Sequence, residues 1–168
     1  VDKMNLNTSA GLPFRGAKKK YIEIDERGKV SEIDECIMTR MEQILEAYDR
    51  GERFHPLFCN HLKDDPLEWK KIMAFKTRVF SGGEYAWSII VRRFYLSHVR
   101  LIQNNPFIFE AMPGVVAQSE QWHELYDHLT TYGQHRMVAG DYGKYDKNMA
   151  APFILGAFDI LIALSQSA

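Results

Sequence analysis

The chain has 168 residues, 46% of them hydrophobic and 12% aromatic, and a net charge of −1. That apolar content suffices for a packed core and excludes an unstructured tail. A near-neutral chain carries no whole-molecule field for nucleic acid, so any RNA contact must come from local clusters of cations. Cys36 and Cys59 stand far apart without C-x-x-C spacing, and the six histidines form no H-x-x-x-H pair, so zinc and histidine metal sites have no support. No apolar run reaches the roughly 18 residues of a membrane span. The chain opens on Val1 and stops at Ala168 directly behind an apolar helical pattern. A piece of a larger domain is the expectation, and composition leaves a trimmed complete domain equally open.

Residues 1–20 are rich in Gly, Asn, Ser and Lys around Pro13 and read as a loop. Tyr21 to Ile24 alternate and predict a short strand, with a turn at Asp25-Glu26-Arg27-Gly28. Ile33, Ile37, Met41, Ile44, Leu45 and Tyr48 keep helical spacing; Ser31 with Asp34 gives a capping-box pattern, and Gly51 is placed to end the helix. Residues 56–62 read as extended or loop. Trp69 to Phe80 predicts strands with a tight connection, broken by Gly82-Gly83. Residues 84–103 predict a helix with Trp87, Ile90, Val91, Phe94, Leu101 and Ile102 on its apolar face. Pro106 and Pro113-Gly114 bracket a turn-rich stretch, and residues 119–132 predict a helix opened by Ser119. Arg136 to Tyr142 predicts a strand, and 149–165 a helix apolar nearly all round and therefore buried. Helices with a few separated strands, rather than regular βαβ units, give an α+β class.

Three segments carry chemistry. In Gly140-Asp141-Tyr142-Gly143-Lys144-Tyr145-Asp146 the expected strand delivers Asp141 at its tip, where a rigid carboxylate suits a hard cation such as Mg²⁺. Asp146 follows one turn later, within reach of a sugar hydroxyl. A turn residue followed by a helix N-cap accounts for this loose spacing at least as well. In Phe75-Lys76-Thr77-Arg78-Val79-Phe80 a strand would set Lys76 and Arg78 on one face, a clamp for a triphosphate. A solvated basic strand explains the same residues equally. Thr8-Ser9-Ala10-Gly11-Leu12-Pro13-Phe14 combines hydroxyls with small residues that let a backbone approach a ligand, or forms an ordinary turn. Lys18-Lys19-Lys20 reads as a solvated run that could touch phosphates.

In this order the three segments resemble the RNA-dependent RNA polymerases of picornavirus-like positive-strand RNA viruses, over nearly the whole chain. Thr8 to Phe14 is similar to the family's T-S-A-G-x-P-Y/F segment at the template entrance. Lys63-Asp64-Asp65 with Lys76-Thr77-Arg78 resembles its K-D-E…G-K-S/T-R segment, which grips the nucleotide triphosphate. Asp141 to Asp146 resembles the first palm motif, D-x-x-x-x-D, and Pro113-Gly114-Val115-Val116 is similar to a stretch that often precedes it. Asp65 stands in place of the usual Glu, and Phe75 where many relatives have Gly.

The resemblance implies a right-hand polymerase, mostly helical with a few strands. Residues 1–132 would belong to the fingers and 133–168 to the start of the palm, with the remaining palm and the thumb absent. It implies nucleotidyl transfer from NTPs to an RNA 3′ end through two Mg²⁺ ions about 3.5–4 Å apart, with Mn²⁺ as a substitute. Asp141 would be the catalytic carboxylate and a metal ligand, with the Tyr142 carbonyl beside it. Lys63, Lys71, Lys76 and Arg78 would neutralise the triphosphate, Asp146 would recognise the ribose 2′-hydroxyl, and Thr8, Ser9, Ala10 and Gly11 would touch template RNA. Implied partners are template and primer RNA, NTPs and other viral replication proteins, at membrane-associated replication complexes in the host cytoplasm and without direct membrane insertion. Holding half a metal site, the chain alone is expected to be inactive. Two readings of other classes stay open here: a non-catalytic RNA-binding or scaffold module with a polymerase-like surface, and a small Mg²⁺-dependent phosphohydrolase built on Asp141.

Overall fold

The computed structural model describes residues 4–166, so positions 1–3 and 167–168 of the ranges above lie outside it. The chain forms two compact units, Val1–Leu96 and Ser97–Ala168.

In the first unit a 3-10 turn at Lys18–Tyr21 leads into β1 (Ile22–Ile24), which pairs antiparallel with β2 (Val30–Ile33). The expected turn joins them: the Asp25 carboxylate accepts from the N–H groups of Arg27 (3.0 Å) and Lys29 (2.7 Å). β2 takes up Ser31, so the capping box expected there is not formed. Asp34 caps instead, its carboxylate accepting the Cys36 N–H at 2.9 Å and opening α1 (Glu35–Asp49). At the far end Gly51 adopts φ +70°. Its N–H donates to the Tyr48 carbonyl and that of Glu52 to the Ala47 carbonyl, both at 2.9 Å. That paired pattern closes a helix and favours glycine at the left-handed position.

β3 (Phe58–Leu62) and β4 (Val79–Gly83) form a second antiparallel pair, from Phe58 opposite Gly83 to Leu62 opposite Val79. Gly82 and Gly83 therefore sit inside a strand rather than breaking one. The strands expected from Trp69 are replaced by α2 (Trp69–Met73). Residues 63–78 must leave β3 and return to β4 across one strand spacing of about 5 Å. A helical turn folds that length back, whereas extended chain would carry it away. α3 (Tyr85–Asn104) follows as expected.

The core lies in this unit. Ile37, Met41 and Ile44 from α1 meet Tyr85, Ala86, Ile89 and Ile90 from α3, closed by Ala10 and Ile22. Their spacing puts each set on one face of its helix. Each buried isoleucine contributes roughly 1.5–3 kcal/mol of burial.

The second unit contains the last turns of α3, then α4 (Pro106–Phe109), α5 (Gln121–Leu129), a 3-10 turn at Gln134–Arg136, α6 (Tyr145–Asn148) and α7 (Ala151–Gln166). Ser119 does not cap α5; its hydroxyl donates to the Val116 carbonyl at 2.8 Å and the helix begins after Glu120. None of the described residues of this unit is buried. Phe153, Leu155 and Ile160 of α7 are 74%, 62% and 63% exposed, so the burial expected of that helix is not realised. The strand expected from Arg136 to Tyr142 is also absent: Arg136 ends the 3-10 turn, residues 137–142 are irregular, and among the described residues no strand pairs with them. A strand needs a ladder partner to satisfy its backbone.

Candidate functional site

The mouth of the β3–β4 pair organises the cations of the first unit. One step beyond Leu62 and Val79, the Lys63 N–H donates to the Arg78 carbonyl at 2.8 Å, extending the ladder and setting the two residues opposite each other. Asp65 lies between their side chains, with its Oδ2 3.0 Å from the Lys63 ammonium and 3.9 Å from the Arg78 guanidinium. The Arg78 side chain is 72% exposed. Such open pairs contribute little to stability and are easily exchanged for another anion. Arg78 thus owes its place to the ladder, not to alternation along a longer strand. Lys76 lies in the loop after α2, where its N–H donates to the Lys71 carbonyl at 2.9 Å, and the Lys71 ammonium stands 3.6 Å from Glu68. The structure brings Lys63 and Arg78 together around one carboxylate and ties Lys71 to Lys76 through the backbone.

The small-residue segment packs at the other end of β4. The Ala10 carbonyl accepts the Tyr85 N–H at 3.0 Å and its N–H donates to Gly16 at 2.8 Å, leaving Ala10 buried. The Ser9 hydroxyl accepts the Gly11 N–H at 3.1 Å, and Lys18 donates to the Thr8 hydroxyl at 2.5 Å while lying 5.9 Å from the centre of the Tyr85 ring. Burial lowers the Lys18 pKa and raises that of the Tyr85 phenol. Thr8 and Ser9 remain exposed. Five residue steps of extended chain lead from Arg78 to Gly83, so the two clusters lie about 17 Å apart along it.

Gly11 has φ +71°, and a Cβ there would come within 2.5 Å of the Gly83 carbonyl oxygen. Gly11→Ala is expected to lower stability by about 2 kcal/mol or more, from the left-handed backbone alone about 1–2 kcal/mol and the rest from overlap with rigid backbone. Its thermal midpoint, read against Gly28→Ala, which meets nothing within 4 Å, separates the two contributions.

Sequence reasoning missed the tie beneath these clusters. Glu84, fully buried between β4 and α3, accepts from Arg40 Nε at 2.5 Å and Nη2 at 3.2 Å, and from the Leu57 N–H at 3.3 Å. Arg40 also lies 4.5 Å from the centre of the Phe54 ring. A lone carboxylate between two glycines and an apolar helix was the available signal.

In the second unit Asp141 sits in irregular exposed chain, and Asp146 in the first turn of α6, also exposed. Lys144 enters α6 with φ +54°, and Asn148 Nδ2 donates to the Gly143 carbonyl at 3.0 Å, shaping the turn between the two aspartates. A cavity of about 310 Å³ opens beside them, lined by Tyr142, Gly143, Tyr145, Asn148, Met149, Ala150 and Phe153. Among the described residues no three His, Cys, Asp or Glu side chains gather into a metal-holding group. The Asp141 carboxylate and Tyr142 carbonyl are hard oxygen donors of the kind Mg²⁺ takes from proteins, with phosphates and water completing the shell. They fit the ion in kind and could supply part of its shell.

The family described as viral RNA-dependent RNA polymerase matches residues 1–167 of this sequence. The chain is similar to the replicase polyprotein of Drosophila C virus (strain EB), 27% identical over 162 residues that cover 92% of this chain and 9% of that polyprotein. It is similar to the replicase polyprotein of acute bee paralysis virus, at 26% identity over 89% of this chain and 8% of the relative. The genome polyprotein of human parechovirus 5 is 26% identical over 96% of this chain and 7% of its own length. Among solved structures, the Sicinivirus 3Dpol RNA dependent RNA polymerase superposes with a TM-score of 0.61 at 18% identity, covering 76% of this chain and 26% of that one. The chain therefore spans less than a tenth of these polyproteins and about a quarter of the solved polymerase.

Proposed function

The chain belongs to the viral RNA-dependent RNA polymerase family, and from that premise we propose that it supplies the nucleotide-gripping part of the fingers and the first metal-binding carboxylate of the palm to a picorna-like viral replicase. The observation that carries this reading is the pairing of Lys63 and Arg78 across the hairpin mouth around Asp65. The polymerase fold, seen in the superposition on a solved viral enzyme, agrees with it. We assign residues 1–132 to the fingers and 133–168 to the start of the palm, a functional division separate from the packing division after Leu96.

In the reaction, a bond forms between the primer 3′-oxygen and the α-phosphorus of an NTP, and the bond from that phosphorus to the β-phosphate breaks, releasing pyrophosphate. Bound Mg²⁺ would stabilise the attacking and leaving oxygens. Arg78 and Lys63 give up Asp65 for the triphosphate, whose oxygens match the planar guanidinium fork. Lys71 and Lys76 add charge from the adjoining turn. Asp141, with the Tyr142 carbonyl, would hold the metal, and Asp146 would accept a hydrogen bond from the ribose 2′-hydroxyl. Thr8, Ser9, Ala10 and Gly11 border the template, with Thr8 and Ser9 exposed and Ala10 tied through its carbonyl to the Tyr85 N–H. Template and primer RNA, NTPs and the other replication proteins of the polyprotein are the partners, and host membranes would carry the assembly. No described helix is long and apolar enough to cross a membrane.

Arg78→Ala in the complete polymerase is expected to lower kcat/KM for NTP by about 100-fold, the scale for removing one preorganised charge donor from a developing anion. Arg78→Lys should recover only part, because a point charge lacks the bidentate fork. Steady-state incorporation on a primed template reads both. Equal activity of Arg78→Ala and the parent would sink the assignment.

A further inference from the structure

Two helices of the first unit end in the same backbone pattern, and they fill its left-handed position differently. α1 uses Gly51, at φ +70°. α2 uses Phe75, at φ +51°: its N–H donates to the Ile72 carbonyl at 3.0 Å, and that of Lys76 to the Lys71 carbonyl at 2.9 Å. Glycine is the residue this position favours, since a Cβ crowds the following carbonyl. The ring gains nothing from packing to offset that, because Phe75 is 94% exposed. An unfavourable backbone state that presents a large apolar ring to solvent points to a role for the ring outside the fold.

Its surroundings identify the partner. Residues 63–78 carry five cations against three carboxylates. Asp65 is engaged by Lys63 and Arg78, and Glu68 by Lys71. Among the described residues neither Lys70 nor Lys76, which flank the ring in sequence, has an ion-pair partner. Trp69, 73% exposed, adds a second ring to the same insertion. Exposed aromatics set among unpaired cations fit a strand of unpaired nucleotides, whose bases stack on the rings while its phosphates meet the cations.

We propose that Phe75 is a stacking platform for a base of single-stranded RNA, with Lys70 contacting a neighbouring phosphate. This deepens the polymerase reading and rests on it. The decisive variant is Phe75→Gly, which removes the ring while supplying the residue the backbone favours. In the complete polymerase it should raise the thermal midpoint. It should also weaken binding of a fluorescent oligouridylate of about ten nucleotides by about tenfold, the scale for losing one stacked base. Phe75→Trp should bind like the parent. An abasic strand of equal length should bind parent and Phe75→Gly alike. Unchanged oligouridylate affinity overturns the proposal, as does an equal loss on the abasic strand, which would mark a contact to the sugar-phosphate chain. Unchanged RNA affinity with lost binding of another replication protein overturns it in favour of a protein-docking ring. None of these outcomes touches the polymerase reading, which stands or falls on incorporation by the Arg78 and Asp141 variants.

Discussion

Asp141→Asn, introduced into the complete polymerase, is expected to lower nucleotide incorporation by about 10⁴-fold at saturating NTP. The amide keeps the shape of the side chain and removes the negative charge that a hard cation selects. A factor of 10⁴ corresponds to about 5.5 kcal/mol of transition-state stabilisation, since each tenfold is about 1.4 kcal/mol. That is a fitting scale for misplacing a metal that would act on both the attacking and the leaving oxygen. Because the amide has the same shape as the carboxylate, the thermal midpoint should stay where it is. Rapid-quench measurement of single additions on a primed template, with melting of the same preparations, reads both quantities. Incorporation within tenfold of the parent would remove Asp141 from the catalytic centre, and a large drop in midpoint would make the lost activity a folding effect.

Glu84→Ala should destabilise the first unit by about 3–5 kcal/mol, the range for breaking a buried ion pair by deleting one partner. The deletion strands the Leu57 N–H and leaves the Arg40 guanidinium, 23% exposed, facing a void. It also loosens the junction at which β4 becomes α3, where Gly83 and Tyr85 hold the Gly11 segment. Urea unfolding of the same protein gives the loss directly. The double replacement Arg40→Met with Glu84→Leu should recover more than half of it, because matched apolar side chains avoid the desolvation that the pair must overcome. A loss below about 1 kcal/mol for Glu84→Ala would mean that water replaces the missing carboxylate at no penalty. No recovery in the double variant would mean that the geometry around Leu57, rather than charge pairing, is what matters.

What could be read from the sequence follows the range of the forces involved. α1, α3 and the closing role of Gly51 were legible because apolar spacing and helix ends are local signals. The α+β class followed from the same reading. The segment from Trp69 to Phe80 was not: its mixed pattern suits either period, and the choice of α2 is set by the need to return to β4. Arg78 was identified for its chemistry, yet the alternation argument for its orientation fails, and its actual support is the ladder contact to Lys63. That contact joins residues fifteen apart and leaves no mark in either segment. Glu84 and Arg40 were invisible for the same reason, being partners across 44 positions. At Asp141 the sequence read as a strand because Val138 and its neighbours suit one, but a strand exists only as a member of a sheet.

The absence of any buried side chain among the described residues of the second unit changes how variation along the chain should be interpreted. A substitution at Ile37 or Ile90 opens a void in a dry interior, and its effect is registered at once as a loss of native population. A substitution at Phe153 or Ile160 of α7 opens no void, because there is no interior yet to disturb. Its effect on the stability of the described residues should be small. Harm done in the first unit would therefore surface as turnover by cellular quality control, whereas changes on α7 should leave the native population of this chain nearly untouched.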